Sequence, residues 1–249
     1  MSIGTRAIDA LGFAPDERHG PLPLLLLVLT MITGLVDAVS YLKLGHVFVA
    51  NMTGNVVFLG FAVADAEDFS IPASLLAIAA FLAGALAGGR LGTRLGHHRG
   101  RLLAIATYIE IALVGAAGIA SVTIALGGDP VRYVLIALLA LAMGLQNATA
   151  RRLAVPDLTT TVLTLTLTGI AADSSLAGGT NPNPGRRLVA TVTMFLGAAI
   201  GAVLIFRVGV GAVLALALAL LVLNGIVAYR QSSSSDAWTL TPDKNTERK

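Results

Sequence analysis

The chain contains no cysteine, few charged residues and few aromatic residues. Without cysteine, disulfides, thiolate catalysis and cysteine-ligated metals are excluded. Charged side chains make up 12% of the 249 residues, whereas soluble domains carry about 25%. Hydrophobic residues reach 55% and the mean hydropathy is +0.82, so the sequence predicts an integral membrane protein. The net charge of +3 then indicates orientation in the bilayer, and we expect no nucleic-acid partner.

Signatures of enzymes and metal proteins are missing as well. The four histidines are not spaced as helix-borne metal ligands, and the sequence has no HExxH motif, P-loop or dinucleotide fingerprint in its required context. No pairing of a nucleophile with a base is evident. We therefore expect neither enzymatic activity nor a cofactor or bound metal.

Eight apolar segments follow one another along the chain. At about 1.5 Å per residue, each is long enough to reach across or well into a hydrocarbon core of about 30 Å. Apart from residues 164–168, the segments lack the alternation that β-barrel strands need, so the sequence predicts an all-α, polytopic membrane fold. The predicted segments are 22–44, 45–64, 71–91, 102–126, 132–150, 157–177, 188–206 and 208–229.

Residues outside these segments form the two chain ends. Residues 1–21 mix acidic and basic side chains before the first apolar run, which is a poor start for a cleaved signal peptide and predicts a short leader. The region 230–249 carries four consecutive serines and scattered charge, typical of a disordered tail. A single integral membrane domain is predicted between them, over residues 22–229.

The distribution of lysine and arginine predicts six full crossings. If all eight segments cross, eight basic residues lie inside and nine outside, which gives no bias. If 45–64 and 157–177 instead enter and return on one side, fourteen lie inside, and only Lys43, Arg132 and Arg207 lie outside. The positive-inside rule favours the second arrangement. It predicts two re-entrant or broken segments and places both termini in the cytoplasm.

The two halves of the chain repeat one another. Gly34 and Asp37 in the first half align with Gly144 and the near-isosteric Asn147 in the second. Further along, residues 81–88 resemble residues 195–202, aligned on their phenylalanines. With an odd number of crossings in each half, about 22–126 and 132–229, the two repeats would be inverted. A chance match between apolar segments rich in small residues is the alternative.

The same two regions resemble the YoaK-type family of bacterial integral membrane proteins, a domain family of unknown function. The resemblance extends over about residues 22–230 and implies a bacterial inner-membrane location and a polytopic helical fold. It implies no substrate. The residues that carry it are Gly34, Asp37, Ala38, Phe48, Asn51, Thr53, Gly54, Asn55, Leu59 and Gly60, and then Met143, Gly144, Leu145, Gln146, Asn147, Thr159, Thr160 and Thr161.

Asp37 is an acidic residue within a predicted membrane-spanning segment. It lies about fifteen residues into the first apolar segment, where a charged side chain costs roughly 2.5–3.5 kcal/mol on insertion scales. Such a side chain must face the protein interior or water, which favours a proton or cation site. Two alternatives remain open: a carboxylate near the far interface beside Lys43, or one that caps a broken helix.

Polar residues surround a glycine in the second segment. Asn51, Thr53 and Asn55 flank Gly54. Glycine permits a positive φ, and asparagine and threonine satisfy backbone groups that are freed where a helix breaks. This composition predicts a re-entrant turn whose open backbone groups face a solute. A kinked spanning helix is the alternative.

The second half carries matching but neutral side chains. Gln146 and Asn147 occupy the position that corresponds to Asp37. Thr160, Thr164 and Thr168 recur every four residues and lie on one helical face. That face is predicted to be either a polar pore wall or a packing surface.

Other residues have narrower predicted roles. Glu110 lies about two turns inside the fourth segment and is either a relay group or the partner of Arg101. Asp157 precedes an apolar run and is predicted to cap a helix. Small residues four positions apart predict close helix packing. They are Ala80, Gly84 and Gly88, and then Gly197 and Gly201.

Together these features predict a small-solute transporter or channel-like permease, with the two broken segments meeting at a polar midplane site. Asp37 would be the coupling or selectivity carboxylate, and the bilayer and a small solute or ion are the expected partners. A homodimer is compatible, since six short crossings would not enclose a path alone. The alternative is a scaffold or sensor that acts through the basic loop 90–101. The neutral residues predicted to line the site are Asn51, Thr53, Gly54, Asn55, Gln146, Asn147, Thr160 and Thr164.

Overall fold

The computed structural model describes residues 18–124, 129–156, 158, 163–180, 184–232 and 237–240. Within these residues the chain is helical, and its β structure is one isolated bridge between His98 and Leu240. Short 3-10 turns lie at Ser175–Ala177 and Ala237–Thr239. The α-helices are α1 (Leu22–Lys43), α2 (Met52–Val63), α3 (Ile71–Leu95), α4 (Arg99–Ile124), α5 (Asp129–Leu153), α6 (Leu163–Ala172), α7 (Pro184–Arg207) and α8 (Val210–Ser232).

Six of these helices are long and apolar enough to cross a membrane, which confirms the predicted polytopic fold. The two remaining helices are the predicted broken segments. Helix α2 has 12 residues and α6 has 10, so at about 1.5 Å per residue they extend roughly 18 and 15 Å, short of a core of about 30 Å.

Threonine, serine and proline residues fit the spanning helices because the backbone groups remain satisfied. Thr30 and Thr33 each donate from Oγ1 to the carbonyl four residues earlier at 2.9 Å, which keeps a hydroxyl bonded where lipid offers no partner. Helix α3 begins after Ser70, whose Oγ accepts from the Ala73 N–H at 3.4 Å. Proline stands at the start of α1 and α3, where its missing N–H costs no helical bond.

Helix packing joins the first four helices to the last four. The extensive contacts are α3 with α5, α1 with α7, and α4 with α8, followed by α4 with α5 and α1 with α8. The short helices α2 and α6 lie against α3 and α7. Exchanging α1–α4 with α5–α8 in chain order leaves this scheme of contacts unchanged.

Two equivalent glycine crossings bring helices into backbone contact. At Gly34 on α1, an added Cβ would lie 2.7 Å from the amide nitrogen of Ala198 on α7. At Gly144 on α5, it would lie 2.8 Å from the amide nitrogen of Ala85 on α3. Only glycine permits backbones to approach this closely. The aligned glycines of the two halves therefore make the same contact twice.

The contacts between the helices show that the predicted alignment of residues 81–88 with 195–202 is wrong by one position. Gly84 meets Leu141 of α5, and its counterpart Gly197 meets Met31 of α1. Matching residues 81–88 to 195–202 by their phenylalanines would instead pair Gly84 with Ala198. The phenylalanines mislead because Phe195 is 68% exposed, whereas the glycines fix the approach of the backbones.

Basic residues segregate to one end of the bundle, called here the basic end. Of the thirteen lysines and arginines in the described residues, ten lie at this end. The opposite end has Lys43, Arg132 and Arg207. The basic end is itself cross-linked: Arg99 donates to the carbonyls of Arg18 and Leu153, each at 2.7 Å.

Part of the predicted disordered tail is folded. Helix α8 continues to Ser232, and Trp238 is only 4% exposed. Its indole ring lies against Gly20 and Gly100, where side chains would occupy its space. The prediction of a disordered region from residue 230 was therefore wrong for 230–232 and 237–240. Leader residues 1–17 and the rest of the tail lie outside the described residues.

Candidate functional site

The chain turns back into the bundle after α1. The N–H groups of Val49 and Ala50 donate to Oδ1 of Asp37 at 3.1 and 2.9 Å. Asp37 stands six residues before the end of α1, so the chain has returned by about 9 Å at 1.5 Å per residue before α2 begins. Residues 44–63 therefore form a re-entrant hairpin, with an irregular descending arm and a helical ascending arm.

Asn55 closes the turn of this hairpin. Its Oδ1 accepts from the N–H of Phe48 at 2.8 Å, and its Nδ2 donates to the carbonyl of Phe48. Gly54 is required because a Cβ there would lie 2.6 Å from the Phe48 ring. Backbone groups that would be unsatisfied in a membrane thus acquire partners from Asp37 and Asn55.

Aromatic side chains cover the hairpin. Tyr41 stacks on Phe48 with ring centroids 5.1 Å apart and an interplanar angle of 21°. Phe48 in turn stacks on Phe58 at 5.7 Å, and Tyr41 meets His46 edge-on at 5.2 Å. The rings join α1 to both arms of the hairpin and fix their separation.

A cavity of about 320 Å³ lies between α1, the hairpin and α7. Its polar lining comes from Asp37, Tyr41 and Asn51, and Asp37 is its one charged lining residue. Asp37 is 6% exposed. Within the described residues its Oδ1 accepts both backbone bonds, and Oδ2 has no hydrogen-bond partner. The site therefore holds a largely buried carboxylate beside open space.

The remainder of the cavity wall is apolar. Met194, Ala198 and Ala202 contribute the α7 side, at intervals of four residues along one face. Tyr41 and these α7 residues were not predicted from the sequence. Tyr41 could have been found, since it follows Asp37 by four residues on the same helical face. The α7 residues carry no polar signal, and only the Gly34 crossing brings them to Asp37.

The predicted first-half residues have different positions. Asn51 lines the cavity, as Asp37 does. Asn55 and Gly54 build the turn and are absent from the cavity lining. Thr53 is exposed on the first turn of α2. Of the interpretations left open for Asp37, its hydrogen bonds to Val49 and Ala50 match a carboxylate that holds a broken segment, and a cavity lies beside it.

Gln146 and Asn147 lie outside the lining of this cavity. Gln146 donates from Nε2 to Thr33 Oγ1 at 2.8 Å and joins α5 to α1. Asn147 donates from Nδ2 to the carbonyl of Met143, within its own helix, at 2.8 Å. The second half contributes to the cavity through α7 instead.

The second short helix, α6, is contacted by an arginine from the first turn of α7. Arg187 pairs with Asp173 at 2.7 Å, and its guanidinium lies against Gly169. Thr164 is exposed, whereas Thr166 is the buried threonine of this helix. Thr160 and Asp157 lie outside the described residues.

Glu110 is a second buried carboxyl group. It is 1% exposed, and its Oε2 has no hydrogen-bond partner among the described residues. The alternative of an ion pair with Arg101 is not realised within the part of the chain that the structure describes. Asn224 on α8 is also buried, and its amide atoms likewise have no partner among the described residues.

Comparison with known proteins identifies relatives. The family model described as "Protein of unknown function (DUF1275)" matches residues 25–227. The UPF0700 transmembrane protein YoaK of Bacillus subtilis (strain 168) is 33% identical over 156 residues. That alignment covers 61% of this chain and 66% of YoaK, just under two thirds of its length. No solved structure matches the chain.

The residues that match the family model extend over the same part of the chain as the eight helices. The matched residues begin in the first turn of α1 and end in the last turns of α8, so they include all six long helices and both short ones. The resemblance noted around residues 34–60 and 144–169 is confirmed. The chain is a multi-pass membrane protein and belongs to the DUF1275 family, together with YoaK-type transmembrane proteins.

Proposed function

We propose that this protein is a small-solute transporter or channel-like permease whose substrate site is the cavity at Asp37. The observation that carries the proposal is the juxtaposition of this carboxylate, a broken re-entrant segment and an open cavity of about 320 Å³. Broken segments beside a buried polar group are typical of transporter sites. A structural carboxylate alone would need no cavity beside it.

Two inverted repeats would supply the framework for transport. The contact scheme is unchanged by exchange of the halves, and the Gly34 and Gly144 crossings are equivalent. Helix α1 runs away from the basic end, while its counterpart α5 runs towards it. The pairs α1–α7 and α3–α5 would move as two bodies, which is the motion that alternating access requires.

The orientation follows from charge. Ten basic residues at one end against three at the other favour a cytoplasmic basic end. Both termini would then be cytoplasmic, the re-entrant hairpin of residues 44–63 would open to the outside, and the short helix α6 would lie towards the cytoplasm. The bacterial relative supports an inner-membrane location.

The scaffold or sensor alternative gains less support. It relies on arginines of the basic loop as a binding surface, yet Arg99 is 5% exposed and donates to two backbone carbonyls. Its guanidinium is therefore occupied within the fold. Arg90, Arg94 and Arg101 of this loop are exposed, and that alternative now depends on them.

Proteoliposome swelling tests the permease proposal without a known substrate. Vesicles with the wild-type protein, Asp37→Asn or Glu67→Gln are placed in isosmotic solutions of small neutral, cationic and anionic solutes. Asparagine retains the Oδ1 acceptor for Val49 and Ala50 but removes the charge. Glu67→Gln removes a carboxylate from an exposed loop at the same end. Circular dichroism melting confirms that each variant is folded.

We expect wild type and Glu67→Gln to pass at least one solute that protein-free vesicles exclude. Asp37→Asn should pass that solute at least about tenfold more slowly, since one lost charge contact of 1.4 kcal/mol or more gives a factor of ten. Equal swelling of wild-type and protein-free vesicles for every solute would reject the proposal. Equal rates for Asp37→Asn and wild type would reject the role of the carboxylate.

A further inference from the structure

We infer that the Asp37 cavity accepts a small organic cation, with its ammonium group against the carboxylate and its apolar body against α7. This inference rests on the proposed function and specifies its substrate class. It depends on four properties of the lining: its charge, its aromatic rings, its few polar groups and its size.

The charge of the lining has one sign. Asp37 is the charged lining residue, and Oδ2 has no hydrogen bond within the described residues. A largely buried carboxylate without a counter-charge is costly in a membrane protein. A cation in the cavity would supply the missing partner, whereas an anion would bring two negative charges together.

Two aromatic rings line the same space. Tyr41 and Phe48 both contact the cavity and stack on each other with centroids 5.1 Å apart. The face of an aromatic ring attracts a cation, typically by 0.5–2 kcal/mol depending on desolvation. Phe58 and Phe61 extend the cluster behind these rings, so the rings are held in place before a ligand enters.

The scarcity of polar groups in the lining favours one class of ligand over others. A bare metal ion needs about six oxygen ligands or retained waters, but the lining offers the side chains of Asp37, Tyr41 and Asn51. Sugars and other polyols would leave hydroxyls unpaired against Met194, Ala198 and Ala202. A methylated or alkylated ammonium ion carries its own apolar shell and matches this wall.

The size of the cavity limits the ligand. A volume of about 320 Å³ is near the lower limit of the roughly 300–1,000 Å³ found for ligand pockets. At about 30 Å³ per water it equals some ten water molecules. This volume accommodates tetramethylammonium or a comparable amine.

A lysine stands near the outer end of the same wall. Lys43 Nζ lies 5.9 Å from the centroid of the Phe206 ring, and Phe206 follows Ala202 by four residues on α7. This ammonium group would repel an entering cation. Removing its charge should therefore strengthen binding of a cation and weaken binding of an anion.

Calorimetric titration of the purified protein tests the substrate class. The probes have similar shapes but different charges: tetramethylammonium, neutral tert-butanol and anionic pivalate. We expect wild type to bind tetramethylammonium alone. Asp37→Asn should weaken that binding at least about tenfold, as expected for loss of a desolvated charge pair. Phe48→Leu should weaken it about three- to tenfold through the lost ring face.

Two further variants complete the set. Lys43→Gln should bind tetramethylammonium about two- to fivefold more tightly, because a like charge is removed. Glu67→Gln, which lies outside the cavity, should equal wild type. Since Phe48→Leu and Lys43→Gln leave the Asp37 bonds intact, the test does not depend on correct folding of Asp37→Asn. Preferential binding of pivalate or tert-butanol, or no binding of tetramethylammonium, would overturn the inference.

The same probes separate this inference from the permease proposal. Flux of a neutral or anionic solute that depends on Asp37 would retain the permease and reject the cation. Binding of tetramethylammonium that depends on Asp37 without any flux would retain the cation site and reject the permease. Current steps on a solid-supported membrane after addition of tetramethylammonium, absent in Asp37→Asn, would support both.

Discussion

A single amide, that of Asn55, satisfies both the N–H and the carbonyl of Phe48. Its side chain is fully buried, so truncation leaves two backbone groups unpaired at a cost of about 1–3 kcal/mol each. We expect Asn55→Ala to lower the free energy of unfolding by about 2–4 kcal/mol in urea titrations of the detergent-solubilised protein. Thr53→Ala, at an exposed position two residues away, is the control. Equal stability of the two variants would contradict a stabilising role for the hydrogen bonds between Asn55 and Phe48.

His98 makes the stability of the start of α4 depend on pH. Its Nδ1 accepts from the Arg101 N–H at 3.2 Å and so caps α4. Burial, together with repulsion from Arg101, lowers the pKa of His98 below its usual 6.5. The folded state therefore resists protonation, and its stability is present above pH 6.5 and decreases as the pH falls below that value.

We expect hydrogen exchange of the first α4 amides to accelerate, relative to other helix ends, as the pH falls below 6.5, after correction for intrinsic exchange. Asparagine is a strong cap that does not titrate in this range. His98→Asn should therefore abolish the acceleration. A pH dependence that persists in His98→Asn would assign the effect to another group.

At the scale of elements, the glycines of α3 divide into two kinds. An alanine at Gly84 would collide with the backbone of Leu141, whereas Gly89 has open space around its Cβ position. We expect Gly84→Ala to lower the melting temperature and to separate α3 from α5. Gly89→Ala should raise stability by about 0.5–1 kcal/mol through helix propensity. Two variants that melt alike would show that the α3–α5 crossing is looser than described.

The elements also show how far sequence reasoning extends. Apolar run length predicted all six long helices, and charge counting predicted that 45–64 and 157–177 fail to span, because both signals are local or additive. The bonds from Val49 and Ala50 to Asp37 could not be predicted, since they depend on how an irregular segment folds back. The cavity wall from Met194 to Ala202 was missed because apolar residues carry no sign of which helix they face.

At the scale of the whole molecule, the absence of cysteine provides a test of orientation. Single thiols introduced by Glu67→Cys at the opposite end and His97→Cys at the basic end report on the two sides, since both positions are exposed. In intact spheroplasts we expect an impermeant maleimide to label Glu67→Cys and to spare His97→Cys until the membrane is permeabilised. The reverse pattern would invert the proposed topology.

The whole molecule is also asymmetric in charge. Asp37 in the first half corresponds to Asn147 in the second, as the sequence predicted. Glu110 on α4 is a second buried carboxyl group, whereas α8 carries the buried amide of Asn224. Among the described residues, the carboxyl groups buried in the spanning helices belong to the first half, so we expect any coupling to a charged solute to depend on that half.

The glycine crossings have a consequence for the order in which the protein is made. Helix α1 packs chiefly on α7, and α3 on α5, so the first half emerges from the ribosome with both glycine faces uncovered. The α3 face finds its partner once α5 has been inserted, and the α1 face finds its partner only when α7 has been inserted. Assembly must therefore follow synthesis of nearly the whole chain, and the halves depend on each other as two subunits of a dimer would. A gene cut between α4 and α5 should still yield a complete molecule, provided that both pieces enter the same membrane.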